Sequence, residues 1–499
     1  MISRDLRAYR PDGRSLRSHY SPQARFLYNY GNRGRESRPC IRRQVESRRS
    51  AEGGRIIEPL AVELNETIRT SAPPLYDALS ALGKELYFPK GILTQAAEAK
   101  RDAFRYNATI GIATMDGKPL FLPSLQKHLN HLEPEEAYPY APSAGFPELR
   151  SLWHEHQLSL NPGLEKKSFS MPIVTNGLTH GLSIYADMFC DAGDVLLLPD
   201  KIWGNYRMVF GTRRGADIVY YPFFGPDGGL DVPSFRRALL SLKDRRKVLV
   251  LFNFPHNPTG YSPYPQEAAA LAEAVVDAAE AGANVVVGVD DAYTSLFYKE
   301  GLFTQSLFSL LADSHKRLTA IKIDGSTKED FVWGFRVGFI TFSLNTDGDT
   351  PAVYEALEKK VGGLIRGTIS KCPTLSQSLL VHAMNSPGYE GEKAEMFKIL
   401  KDRCEEIARV LDNPDYSDAF RPYPFNSGYF MCIELLHTDA EQLRKHLLDA
   451  YGVGTIATGD RDIRIAFSCL NKEQIKDLFD ILYKAIKDLD KSDRKTGRS

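Results

Sequence analysis

Lys328 lies in DGSTKEDFVWGFRVGF, just after the apolar run Leu318 to Ile323 (LTAIKI). A lysine amine can add to an aldehyde and form a Schiff base. Most lysines are solvated surface charges, so its company decides what it means. Other apolar runs deliver comparable groups. DVLLLPD (194–200) leads to Trp203, and KVLVLFNF (247–254) to Asn257 in PHNPTG. NVVVGVDD (284–291) brings Asp290 and Asp291 and then Tyr293, and Arg336 stands eight residues after Lys328. IVTNGLTHGL places Leu178 and Thr179 behind a glycine turn that opens a helix, where free N–H groups and the helix dipole favour an anion. A carboxylate, an amide and a phenol suit a heteroaromatic ring, and an indole can stack on it. An arginine suits a phosphate.

The positioning elements follow from periodicity. DVLLLPD, KVLVLFNF, NVVVGVDD and RLTAIKID read as strands buried on both faces. PQEAAALAEAVVDAAEAG (265–282) reads as a helix closed by Gly282. Such alternation predicts a parallel sheet flanked by helices, with ligands beyond the carboxyl ends of its strands. PLAVELNETI and PPLYDALSALGKELYF read as amphipathic helices near the start. From about residue 390 a long helix, the strands SGYFMCIEL and DIRIAFS, and the helix NKEQIKDLFDILYKAIKDL predict a smaller α+β part. Strand alternation turns Asp291 away from the face that Asp290 serves.

The combined inventory suits pyridoxal phosphate. NPTG preceded by aromatic-Pro-x, then D-x-A-Y, then S-x-K-x(7)-R resembles the class I/II, fold-type I aminotransferases, and within them the aspartate/aromatic branch, over about residues 105 to 470. The resemblance implies an α/β fold with a mainly parallel seven-stranded sheet, a smaller α+β domain from both termini, and a homodimer with shared sites. It gives Lys328 the Schiff base and the proton shuttle. Asp290 keeps the pyridine nitrogen protonated, Tyr293 and Asn257 bind the ring 3′-oxygen, and Trp203 stacks. Arg336, Ser326 and the backbone at Leu178 and Thr179 hold the phosphate, which Tyr140 reaches from the partner subunit. Arg464 binds the substrate carboxylate, and Ile112 and Ala113 line the substrate. Arg366 is placed to read a distal carboxylate across the dimer. Two departures stand out: Gly325 where the family has Ser or Thr, and Leu178 where a small residue is usual. The implied reaction exchanges an amino group between an L-amino acid, dicarboxylic or aromatic, and a 2-oxo acid by a ping-pong route. A lyase or decarboxylase of the same fold is the alternative.

The chain has 499 residues and a formal net charge of zero, with 63 basic and 63 acidic residues. This balance marks neither a nucleic-acid binder nor a membrane-surface protein. Six scattered cysteines without a CxxC pair fit a reducing compartment such as the cytoplasm and make no metal site. The first 55 residues hold 14 arginines and no lysine, with five acidic residues. They are expected to be a disordered tail, and five acids argue against a transit peptide. The abrupt change in basic-residue usage also suggests a true start near Ile56 to Val62. Expected boundaries are a tail (1–55), an N-terminal arm with part of the small domain (56–124), a large domain (125–370) and a small C-terminal domain (371–499).

Overall fold

The computed structural model describes residues 58–88 and 91–496, so the expectations for residues 1–55 lie outside the described residues. Seven strands build the main sheet: β1 (Ile173–Thr175), β2 (Val195–Pro199), β3 (Asp217–Tyr221), β4 (Val248–Asn253), β5 (Val285–Asp290), β6 (Leu318–Asp324) and β7 (Gly338–Leu344). Their order across the sheet is β1-β7-β6-β5-β4-β2-β3. Only β7 runs against its neighbours, pairing antiparallel with both β1 and β6. The remaining pairs are parallel.

Period-two side-chain alternation sends consecutive residues of one strand into two different cores. Val285, Val287 and Val289 of β5 join Val248, Val250 and Phe252 of β4 on one face. Val286, Leu249, Leu251, Ile321 and Ile323 join the core on the other. Each such fully buried aliphatic side chain contributes about 1.5–3 kcal/mol. The face with Val287 is covered by the helix Pro265–Glu280, which turns Ala268, Leu271, Ala272 and Val275 into the same core. The alanines let that helix approach the sheet closely. Glu267 accepts from the Tyr264 N–H at 2.9 Å and starts the helix. Gly282, at φ +104°, reverses the chain into β5.

A second sheet is wholly antiparallel: β8 (Phe420–Pro422), β9 (Phe430–Leu435), β10 (Ile456–Ala457) and β11 (Asp462–Ala466), in the order β8-β9-β11-β10. It is accompanied by the helices Tyr389–Leu411, Ala440–Tyr451 and Ile475–Thr496. An early segment, Tyr106–Asn107, pairs in parallel with Val453–Gly454 and ties the two ends of the chain together. The NPTG turn joins the sheets: a Cβ at Gly260 (φ +73°) would lie 1.9 Å from the Phe430 carbonyl oxygen.

One sequence expectation changes, and the seven-stranded sheet is as expected. PPLYDALSALGKELYF forms two short helices, Pro73–Ala78 and Ala81–Glu85. Leu79 is extended between them, and Ser80 Oγ caps the second by accepting from the Gly83 N–H at 3.0 Å. Strands β3 and β7 join the four that the apolar runs point to, together with the short β1. In β7 the first six residues are buried, but Gly338, Thr341 and Ser343 break the apolar run. No helix among the described residues is long and apolar enough to cross a membrane.

Candidate active site

The carboxyl ends of β1, β2, β4, β5 and β6 open on a cavity of about 230 Å³. Lys328, Asp290, Tyr293, Asn257, Arg336, Trp203, Leu178, Thr179 and Arg464 all line it. Tyr206, Asn253, Gly111, Ile92, Ala292 and Phe430 complete the wall.

Lys328 sits in the short helical turn Ser326–Glu329, directly after β6. Its backbone carbonyl accepts from Tyr429 OH at 2.9 Å, and its ammonium lies 5.2 Å from the Tyr293 ring centroid. No carboxylate among the described residues forms an ion pair with it. Burial pushes the amine down to about 8; Asp290 opposes this, and the like charge of Arg336 adds to it. A value that low gives an appreciable free-amine fraction near neutral pH.

Asp290 is 3% exposed and ends β5. Burial raises its carboxyl to about 6, while a hydrogen bond from Tyr206 OH to Oδ2 at 2.7 Å holds it down. The Asp291 carboxylate points the other way, as strand alternation requires. It pairs with Lys322, which also lies 3.3 Å from Asp324, and accepts from Ser306 Oγ at 2.6 Å.

The anion end is built by two antiparallel neighbours. Gly177 follows β1 at φ +76° and starts the helix Leu178–Phe189, and Arg336 directly precedes the Val337–Gly338 entry to β7. A Cβ at Gly177 would stand 2.4 Å from Arg336 Nη2, so the guanidinium fills the space that a side chain would need. Arg336 itself adopts φ +56° and donates to the Trp333 carbonyl at 3.3 Å. The first-turn N–H groups of Leu178 and Thr179 have no intrahelical acceptor. A guanidinium and a helix N-terminus thus converge, both positive, on one point of the cavity, an arrangement that an anion stabilises.

Arg464, on β11, reaches in from the second sheet. Its Nη2 donates to the Thr109 carbonyl at 2.8 Å and its Nη1 to Asn257 Oδ1 at 3.2 Å. Its Nε is buried without a partner, and the guanidinium lies 4.2 Å from the Phe430 ring centroid. Asn257 is itself anchored, its N–H donating to Asn253 Oδ1 at 2.9 Å while Asn253 Nδ2 donates to the Asp290 carbonyl at 2.8 Å.

The other residues singled out in the sequence lie elsewhere. Ser326 is buried, its Oγ 3.5 Å from the Val337 carbonyl, and does not line the cavity. No side chain fits at Gly325, where a Cβ would meet Gly338 Cα at 2.7 Å. Ile112 and Ala113 do not line the cavity, whose wall Gly111 supplies instead; the Ile112 carbonyl accepts from Ser468 Oγ at 2.6 Å, and Ala113 is fully buried. Tyr140 is 88% exposed, and Arg366 is exposed and donates to Ser370 Oγ at 2.7 Å; neither reaches this chain's own cavity. Tyr206 is the functional residue that sequence reasoning misses. It is the last residue of WGNY, a motif in which the tryptophan carries the plainer signal.

Residues 111–482 match the family described as aminotransferase class I and II. The chain belongs to that family and is an aminotransferase. It is 25% identical over 299 residues to a probable aspartate/prephenate aminotransferase of Aquifex aeolicus, covering 58% of this chain and 69% of that one. It is 24% identical over 332 residues to the mitochondrial aspartate aminotransferase of Schizosaccharomyces pombe, covering 64% and 72%. An aminotransferase structure from Anaerococcus prevotii superposes with a TM-score of 0.73 at 22% identity, covering 82% of this chain and 99% of the other. Aspartate aminotransferase from Saccharomyces cerevisiae cytoplasm gives a TM-score of 0.66 at 18% identity, covering 83% and 99%. These two likenesses establish the fold. Family membership implies dependence on pyridoxal phosphate. The cavity fits that group: a buried carboxylate, an amine without a counter-ion and a doubly positive anion cradle stand around one space.

Proposed function

We propose that this chain holds pyridoxal phosphate in the cavity at the strand ends and moves the α-amino group of a dicarboxylic or aromatic L-amino acid to a 2-oxo acid. One observation carries the reading: Lys328 is a half-buried amine with no ion-pair partner among the described residues, facing Asp290, Asn257, Tyr293, Arg336 and Arg464 across about 230 Å³.

The bound cofactor supplies an aldehyde for amino groups and a ring that accepts electrons from the substrate Cα. Arg336 and the Leu178 and Thr179 N–H groups bind the phosphate. Asp290, kept in place by Tyr206, holds a proton on the ring nitrogen. Tyr293 and Asn257 would donate to the ring oxygen, and Trp203 would stack on the ring. Arg464 binds the substrate α-carboxylate with the donors it does not spend on Asn257 and Thr109. Lys328 would carry the proton to and from the substrate Cα.

A second space of about 490 Å³ shares Ile92, Thr179 and Trp203 with the cavity and leaves room for the substrate side chain. The exposed Tyr140 and Arg366 are read as reaching a second copy's site in a homodimer, which fits their position outside their own. A cytoplasmic location fits the free cysteines at 190, 372, 404, 432 and 469.

The purified protein should show the visible absorbance of enzyme-bound cofactor. An amino-acid substrate should bleach that band and a 2-oxo acid should restore it. Bound cofactor that no amino acid and oxo-acid pair can cycle would turn the reading to lyase or decarboxylase chemistry. Arg366→Ala should weaken glutamate or aspartate use by about tenfold more than phenylalanine use, the loss expected for one charge-assisted contact; equal losses would remove Arg366 from the substrate pocket.

A further inference from the structure

Lys201, two residues before Trp203, forms an ion pair at 2.7 Å with Asp462, two residues before Arg464 on β11. We propose that Lys201 and Asp462 are positioning residues for Arg464: their ion pair clasps the second sheet to the main one and sets where the guanidinium stands at the cavity. The proposal rests on the reading of Arg464 as the group that binds the substrate α-carboxylate.

The pair closes a ring of contacts between the two sheets. Lys201 follows β2 of the main sheet, and Asp462 opens β11 of the second. Two residues along β11, Arg464 Nη1 donates to Asn257 Oδ1 at 3.2 Å. Beside Asn257 in the chain, His256 Nε2 lies 3.1 Å from the Lys201 carbonyl. A carbonyl only accepts, so Nε2 donates there and Nδ1 accepts from Thr259 Oγ1 at 2.8 Å. That arrangement needs a neutral imidazole, and burial supplies it by pushing the His256 titration down to about 3. The ring is held flat against Phe223, with centroids 4.0 Å apart. The Lys201 side chain then returns to Asp462 Oδ2, while Tyr423 OH donates to Asp462 Oδ1 at 2.9 Å. Burial works against the charged form of Lys201, but Asp462 outweighs it and raises its titration.

The ring matters because Arg464 works away from its own sheet. Within the second sheet it stands opposite Cys432 and Ile456, which fixes it there but not against the main sheet. Its own side chain spends two donors on Thr109 and Asn257 and leaves Nε without a partner. Where the guanidinium meets a carboxylate therefore depends on where β11 stands, and a displacement of about 1 Å can cost about a hundredfold in such a contact. The clasp acts on the first residue of that strand. Without Lys201 the Asp462 carboxylate, 15% exposed, would lose its counter-charge and be drawn toward water, taking the start of β11 with it. Lys201 and Asp462 also line the space of about 490 Å³ beside the cavity, so a direct hold on the substrate side chain is the competing role that the test must separate.

The test is steady-state kinetics of the cofactor-loaded enzyme with glutamate, aspartate and phenylalanine as amino donors. Asp462→Asn and Lys201→Met should each raise KM for every accepted donor by about fivefold and change kcat by less than about twofold, the pattern of lost binding rather than lost chemistry. The rise should be the same for all donors, because all carry the α-carboxylate. The double variant should be no worse than the poorer single one, since the two residues act as a unit. Lys201→Arg should keep most of the affinity. Cofactor affinity, read by spectroscopic titration, should not move, and urea unfolding confirms that folded protein is being read. An unchanged KM in folded Asp462→Asn, or additive losses in the double variant, overturns the proposal. A rise confined to one donor overturns it too and gives the pair to the substrate side chain. Should Lys201→Met fail to fold, Asp462→Asn and Lys201→Arg decide alone. Arg464→Ala separates the underlying reading: it should raise KM for all donors by about a hundredfold. An unmoved KM there would overturn the role of Arg464 itself; a large rise there beside unmoved Lys201 and Asp462 variants would overturn the clasp only.

Discussion

Asp290 and Asp291 are consecutive at the end of β5, yet they belong to two differently wired regions. On the Asp291 side, Lys322 is flanked by Asp291 and Asp324, and the ion pairs are closed by Ser306. On the Asp290 side, Lys328 faces a carboxylate across a cavity without an ion-pair contact, and Asp290 spends a hydrogen bond on Tyr206. The residue types are the same; Lys322 is buried, and Lys328 is half-buried at the cavity wall. Pairing makes the difference. Attraction to two carboxylates outweighs burial at Lys322 and raises its titration, whereas burial prevails at Lys328 and lowers it to about 8. One region spends its charges on stability, and the other keeps them available for a ligand.

The contrast can be broken first at its reactive end. Lys328→Ala should cut kcat/KM for transamination by about 10⁴-fold, since it removes the proton carrier as well as the amine; steady-state assays with a coupled oxo-acid readout check this. Lys322→Met should instead leave the chemistry of the folded protein intact and cost about 3–5 kcal/mol in urea unfolding, the usual result of orphaning buried charges.

The matching substitution in the cavity should have the opposite sign. The folded value of Lys328 lies below its ordinary 10.5. Its contribution to stability is therefore present above pH 10.5 and lost as the pH falls through about 8. Cofactor-free Lys328→Met should thus be more stable than the unaltered protein at pH 7, by about 2 kcal/mol, with the gain vanishing above the ordinary lysine range. Paired urea melts at the two pH values test the sign. The smallest expected effect is Tyr206→Phe. Losing its hydrogen bond should raise the Asp290 titration further and cost about 1 kcal/mol of transition-state stabilisation, read in kcat/KM against pH.

Much of this is legible in the sequence. Lys328, Asp290, Asn257 and Tyr293 each follow a Val- or Leu-rich run, and a buried parallel strand has one way to present what comes after it. The split between Asp290 and Asp291 follows from strand alternation alone. Other features depend on tertiary contacts that no local pattern records. Tyr206 reads as one more core aromatic until its hydroxyl is seen on Asp290. Gly111, rather than Ile112 or Ala113, lines the cavity, in a segment held by Ser468, 356 residues from Ile112 in sequence, through the Ile112 carbonyl. Strand β7 escapes notice because Gly338, Thr341 and Ser343, although buried, interrupt its apolar run, and its direction is set by its partners.

That reversed strand has a further consequence, for insertions and deletions. Arg336 meets Gly177 only because β7 enters the sheet where β1 leaves it, with Gly338 opposite Thr175 and Phe339 opposite Asp324. One residue more or less between Arg336 and Gly338 would turn the guanidinium away from Gly177. Length changes between Arg336 and Gly338 should therefore be rejected almost without exception. The turn at residues 345–349, beyond the far end of β7, should accept them freely.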